Sequence, residues 1–196
     1  MRKNPHPLTA EDLLQPDTPY GDCELWDGAA VVREPSGGGS DIVNLRVGSQ
    51  IQRFVETCDL GWVTGSEQGW LLARQPDRVL AADAAFVSYA RLREIPARGF
   101  FPCAPDFVVE TRSPDDSWTG LVTKAGVWMG HGTRVVWVID PLRRTVLVLK
   151  PGAEPVTLRP GETADAEPVL PGFRVDLTSL FDRLPYETEW DDVYLT

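Results

Sequence analysis

The spacing of apolar and polar residues predicts a few helices packed on a sheet of short strands. A first helix is expected over 9–14, with Thr9 as N-cap and Asp12 three residues on. After the polar link QPDTPYGD, residues 24–33 alternate as a hairpin around Asp27-Gly28, a pair suited to the positive φ angles of a tight turn. The loop EPSGGGS leads to Ser40, which the pattern nominates as N-cap of a long helix over 41–58. Its apolar stripe is read as Ile42, Leu45, Ile51, Phe54 and Val55. Gly37-Gly38-Gly39 ahead of that helix reads as a flexible loop, although such a run can also cradle an anion.

Extended segments follow at 61–64, 69–74, 82–88 and 106–112, with a loop over 89–105. The run Ser113-Pro114-Asp115-Asp116 ends the fourth strand and introduces a helix over 117–131, closed at Gly130 or Gly132. The β-branched runs 135–140 and 145–150 flank Pro141-Leu142-Arg143-Arg144 as a hairpin. A weaker strand is expected near 155–159. The element order gives an α+β or mixed α/β domain with helices on a central sheet. Neither G-x-G-x-x-G nor G-K-[ST] occurs, so nothing supports a dinucleotide or P-loop site.

With 196 residues and 42% apolar side chains, the chain can fill one core, assigned to 1–181, with an acidic tail at 182–196. Cys23, Cys58 and Cys103 form no C-x-x-C pair, which fits the reduced cytoplasm rather than a disulfide scaffold. No apolar run reaches the roughly 18 residues of a membrane span, and the N-terminus lacks a signal-like apolar stretch. His6 and His131 are the only histidines, so a metal would be held by carboxylates. The net charge of −10 argues against holding nucleic acid by bulk charge. Residues 1–30 and 182–196 each carry −4, however, leaving −2 in the long middle.

Two strand segments carry acids in apolar surroundings: Ala82-Asp83-Ala84-Ala85-Phe86-Val87 and Pro105-Asp106-Phe107-Val108-Val109-Glu110. Antiparallel pairing would set Asp83 opposite Glu110, with Cβ atoms roughly 5 Å apart, close enough to share one divalent ion. Asp106 falls on the same face but about 13 Å from Glu110, which makes it second-rank. Hard carboxylate ligands favour Mg²⁺ or Mn²⁺, and Lys124 in the next helix could supply a base or a stabilising charge. Trp26, Trp62, Trp70 and Trp137 sit in strand patterns and read as core rather than as base-stacking residues.

Several blocks together resemble one family. They are Tyr20 with Glu24-Leu25-Trp26-Asp27-Gly28, Ala82 to Val87, Ala104 to Pro114, Lys124, Val135 to Pro141, and Leu170-Pro171-Gly172-Phe173. Over about residues 8–181 the chain resembles the bacterial Uma-type restriction endonucleases of the PD-(D/E)XK nuclease superfamily. The resemblance implies a restriction-endonuclease-like fold, a central mixed sheet flanked by helices, and Mg²⁺-dependent hydrolysis of phosphodiester bonds in nucleic acid, with DNA the expected substrate. It makes Asp83 and Glu110 the metal ligands, Lys124 the catalytic lysine and Glu24 a residue that holds or orients a ligand.

The chain departs from the pattern in four places. Arg112 replaces the lysine two residues after the glutamate, Ala82 replaces a proline, and Gly39-Ser40-Asp41 replaces a histidine. Trp128 stands where a tyrosine usually follows the lysine. Arg112, Arg91, Arg93 and Arg98 are candidate phosphate contacts, Arg112 being second-rank at the site. A homodimer is expected by analogy, and the tail's Trp190 and Tyr194 could dock on a partner subunit. Two alternatives stand beside the nuclease: a catalytically degenerate nuclease-like binding module, and a hydrolase of some other phosphate ester.

Overall fold

The computed structural model describes residues 6–20, 22–33 and 37–184. Helix α1 (Ala10–Leu13) starts as expected, with Asp12 accepting from both the backbone N–H and the hydroxyl of Thr9. Strands β1 (Cys23–Trp26) and β2 (Ala29–Val32) form the hairpin, turned by Asp27 at φ 51° and Gly28 at φ 78°.

Helix α2 (Gly38–Cys58) starts earlier than the pattern suggested. Its N-cap is Gly37, and Ser40 lies inside the first turn, donating its hydroxyl to the Arg112 carbonyl at 2.7 Å. The buried stripe is Val43, Val47, Ile51 and Val55, a strict i, i+4 row. Ile42 and Leu45 face outward instead, with Leu45 74% exposed.

Beyond α2 come β3 (Gly61–Gly65), β4 (Gly69–Ala73), β5 (Arg78–Ala81) and β6 (Ala84–Ser88). The strand expected over 82–88 is β6, and β5, just ahead of it at 78–81, is a further strand that belongs to a different sheet. β5 sits between β1 and β4 in a four-stranded sheet ordered β2-β1-β5-β4. The chain then crosses at Ala82-Asp83 into the main sheet as β6.

The main sheet is completed by β7 (Phe107–Thr111), β8 (Val135–Asp140), β9 (Thr145–Leu149) and β10 (Val156–Leu158), in the order β10-β9-β8-β7-β6-β3. Only β7 and β8 run parallel, joined through helix α3 (Trp118–Gly130), which Ser117 caps by accepting from the Gly120 N–H. Burial on both faces explains why β8 reads as an unbroken apolar run. A small hairpin, β11 (Thr163–Asp165) with β12 (Arg174–Asp176), and helix α4 (Leu177–Leu180) close the described chain.

Two cores result. The α2 row packs with Phe86, Phe107, Val109, Trp137 and the closing hairpin on one face of the sheet. On the other face, Leu121, Ala125 and Trp128 of α3 pack on Ala85, Val108, Val136 and Val138. Trp70 and Trp137 are fully buried as expected, while Trp26 and Trp62 are partly buried. Leu184 still packs into the first core; the expected tail with Trp190 and Tyr194 lies outside the described residues beyond it. No helix among the described residues is long and apolar enough to cross a membrane.

Candidate active site

The break between β5 and β6 decides where the acids go. β6 pairs with β7 through Ala84–Val109, Ala85–Val108 and Phe86–Phe107, so one further step sets Asp83 opposite Glu110. Past the end of regular pairing, Asp83 Oδ2 accepts the Thr111 N–H at 2.6 Å. Glu24 arrives from β1 of the other sheet, and Lys124 from the face of α3 turned to the main sheet.

The four side chains line one cavity of about 660 Å³, bounded by the β2 edge, the start of α2 and the loop before α3. Lys124 Nζ donates to Glu24 Oε1 at 2.7 Å and to the Ala81 carbonyl at 2.8 Å, and lies 3.1 and 3.2 Å from the two oxygens of Glu110. Two tryptophans fix the carboxylates from behind. Trp128 Nε1 donates to Glu110 Oε1 at 2.7 Å, and Trp26 Nε1 to Glu24 Oε2 at 2.9 Å. Lys124 and Trp128 are one helical turn apart and therefore reach the same carboxylate.

Burial dominates the electrostatics. It pushes the Glu110 carboxyl up to about 8; Lys124 and the Trp128 hydrogen bond pull it down, and the Asp83 and Glu24 charges push it further up. Asp83 is raised too, chiefly by burial and partly offset by the Thr111 N–H and by Lys124 and Arg33. Burial alone would lower Lys124, but the carboxylates around it outweigh that effect and hold the ammonium above the ordinary lysine value. The cavity as a whole is anionic: eight acidic side chains line it against two cations, Arg33 and Lys124.

The other sequence candidates lie elsewhere. Asp106, at the far end of β7, is buried and saturated, taking the Ser88 N–H, Arg91 and Arg134, so it is a structural anchor outside the cavity. Arg112 is turned from the cavity toward Asp140 of β8, 3.0 Å away, because β7 and β8 run parallel and end together. Arg91 is spent on Asp106 and on the carbonyls of Ala104, Pro105 and Gly132, and Arg98 on that of Leu14. Arg93 is exposed and does not line the cavity. Sequence reasoning missed Arg33 and the tryptophan–carboxylate bonds, although the spacing of four between Lys124 and Trp128 was visible.

Fold and site together define a restriction-endonuclease-like domain, with acids and a lysine gathered where a mixed sheet opens. The chain belongs to the Uma2 family, described as "Putative restriction endonuclease", whose model matches residues 10–178. The fold also matches a crystal structure of "a putative nuclease belonging to DUF820" from Anabaena variabilis ATCC 29413, with a TM-score of 0.72 and 21% identity over 81% of this chain and 89% of that one. No curated protein matches the chain.

Proposed function

We propose that this protein is a divalent-metal-dependent endonuclease that hydrolyses phosphodiester bonds of DNA at the Glu24–Asp83–Glu110–Lys124 site. The observation that carries the reading is the charge imbalance at the sheet opening: three carboxylates, two of them raised by burial, face a single ammonium. Buried all-oxygen donors with excess negative charge suit a hard divalent cation, Mg²⁺ or Mn²⁺.

Among the described residues no group of three or more His, Cys, Asp or Glu has metal-holding geometry. Asp83 and Glu110 would therefore hold the ion as a pair, leaving its other positions to water and substrate, as Mg²⁺ commonly requires. When bound, such an ion supplies Lewis-acid polarisation of a phosphoryl oxygen and activation of the nucleophile.

The chain's own residues do the rest. Trp128 and the Thr111 N–H fix the two ligands, and Glu24 orients Lys124 from the opposite sheet. Lys124 stays protonated, so its part is to stabilise charge that builds on the phosphoryl group rather than to remove a proton.

The reading is tested on supercoiled plasmid incubated with the protein and Mg²⁺, Mn²⁺ or EDTA. Nicked or linear products are expected with either ion and none with EDTA; equal degradation in EDTA overturns the mechanism. Ion uptake by calorimetry without cleavage would instead favour the nuclease-like binding module. Lys124→Met is expected to lower kcat by about 10²–10³-fold, the scale of losing one preorganised donor. Because Lys124 acts as a cation, Lys124→Arg should recover part of that loss, whereas a lysine base would show no recovery.

A further inference from the structure

We propose that Arg33 is the phosphate-binding residue of the cavity, taking a non-bridging oxygen of the nucleic-acid strand that enters it; this rests on the nuclease reading above. Every arginine nominated from sequence is engaged away from the cavity or lies outside it, and the family-type lysine is enclosed by its own carboxylates. With Lys124 serving the reacting phosphoryl group, a phosphate of the strand elsewhere in this anionic space needs another cation. Among the described residues Arg33 is the remaining one that lines it.

Its position suits the task. Arg33 directly follows β2 at the cavity wall, 22% exposed, and its charge bears on the Asp83 carboxyl. Its backbone N–H donates to the Asp22 carbonyl at 3.0 Å, and the two contacts of its guanidinium run through Nη1, to Asp22 Oδ1 at 3.1 Å and to the Ser66 carbonyl at 2.9 Å. Nε and Nη2 have no hydrogen-bond partner among the described residues. That edge of the guanidinium is the fork that donates two N–H bonds to the oxygens of a phosphate. A phosphate that takes Nη1 as well as Nη2 meets only one competing anion there, Asp22, which is 63% exposed, and an exposed ion pair is worth little, so that carboxylate can be exchanged for a phosphate oxygen at small cost. Asp22 then acts as a stand-in that holds Arg33 in place until a phosphate displaces it.

The test uses a short fluorescein-labelled single-stranded oligonucleotide, with binding followed by anisotropy in Ca²⁺ and cleavage in Mg²⁺. Arg33→Gln is expected to weaken binding about tenfold or more, the scale of one charge-assisted hydrogen bond, and to raise KM more than it lowers kcat. The slope of log affinity against log salt should become shallower by about one contact. Arg33→Lys keeps the charge without the fork and should fall between the two; it also serves if Arg33→Gln melts early.

Asp22→Asn should tighten binding, and that gain should vanish in the Arg33→Gln background. A gain that persists there reflects general charge and overturns the stand-in role. Wild-type-like binding and KM in Arg33→Gln overturns the phosphate role while leaving the nuclease reading intact. A wild-type protein that neither binds this probe nor cuts the plasmid overturns both.

Discussion

Asp83→Asn and Glu110→Gln are expected to lower metal-stimulated cleavage by at least about 10³-fold, and each metal-free variant is expected to melt at a higher temperature than the wild type. The two effects share one cause. Burial penalises the charged form of each carboxyl, and one ammonium offsets only part of three negative charges. The amides keep the acceptor oxygens that the Thr111 N–H and Trp128 use, while removing a charge the fold holds at a cost.

The sign of the pH dependence follows. A carboxyl whose folded value is raised contributes its full stability below the ordinary value of 4.5 and loses it as the pH climbs through about 8. The melting-temperature gap between Glu110→Gln and wild type should therefore open across that window and close toward acid. Differential scanning calorimetry in EDTA at several pH values reads it directly. A variant that loses activity but melts lower at pH 8 would mean that the carboxylates stabilise the fold as a salt-bridge network and are not held ready for a cation.

Much of this site was legible in the sequence, because it depends on local pattern. The β6 and β7 segments are apolar runs that place Asp83 and Glu110 near opposite ends, so antiparallel pairing alone implies their approach. The turn at Asp27-Gly28 and the α3 boundaries likewise follow from adjacent residues. Three features were not legible.

The division at Ala82-Asp83 depends on β5 pairing with β1 and β4, and the run Val79-Leu80-Ala81-Ala82-Asp83-Ala84-Ala85 carries no Gly or Pro to announce it. The start of α2 was read from Ser40, a good cap by type, but tertiary contact recruits its hydroxyl to the Arg112 carbonyl and leaves capping to Gly37. The row that packs on the sheet is Val43, Val47, Ile51 and Val55, and Ile42 and Leu45 face outward. The targets of the arginines were hidden for a different reason. Arg33 reaches Ser66 and Arg112 reaches Asp140, partners fixed by strand order and invisible in spacing.

Arg112→Ala is expected to destabilise the protein by about 3–5 kcal/mol, a fall of roughly 6–20 °C in Tm for a domain of this size. The sequence placed this arginine two residues after Glu110 and suggested a phosphate contact. The structure points it at Asp140, which is 0% exposed and whose other oxygen accepts the Arg143 N–H. Removing the guanidinium leaves a buried carboxylate with no cation paired to it among the described residues, and that is what makes breaking such a pair costly. Asp140→Asn should cost less, because the Arg112 side chain is 20% exposed and can regain water.

The same arginine donates Nε to the Asp116 carbonyl, in the loop that leads to the Ser117 cap of α3 and so to Lys124. Activity should therefore fall in Arg112→Ala through looser placement of Lys124, chiefly in kcat, and Arg112→Ala/Asp140→Leu should recover stability more than activity. A direct phosphate contact would give the reverse pattern: an unchanged Tm, a raised KM and a shallower salt dependence. Thermal melts alongside steady-state kinetics on these variants separate a buried brace between β7, β8 and the α3 loop from a substrate ligand.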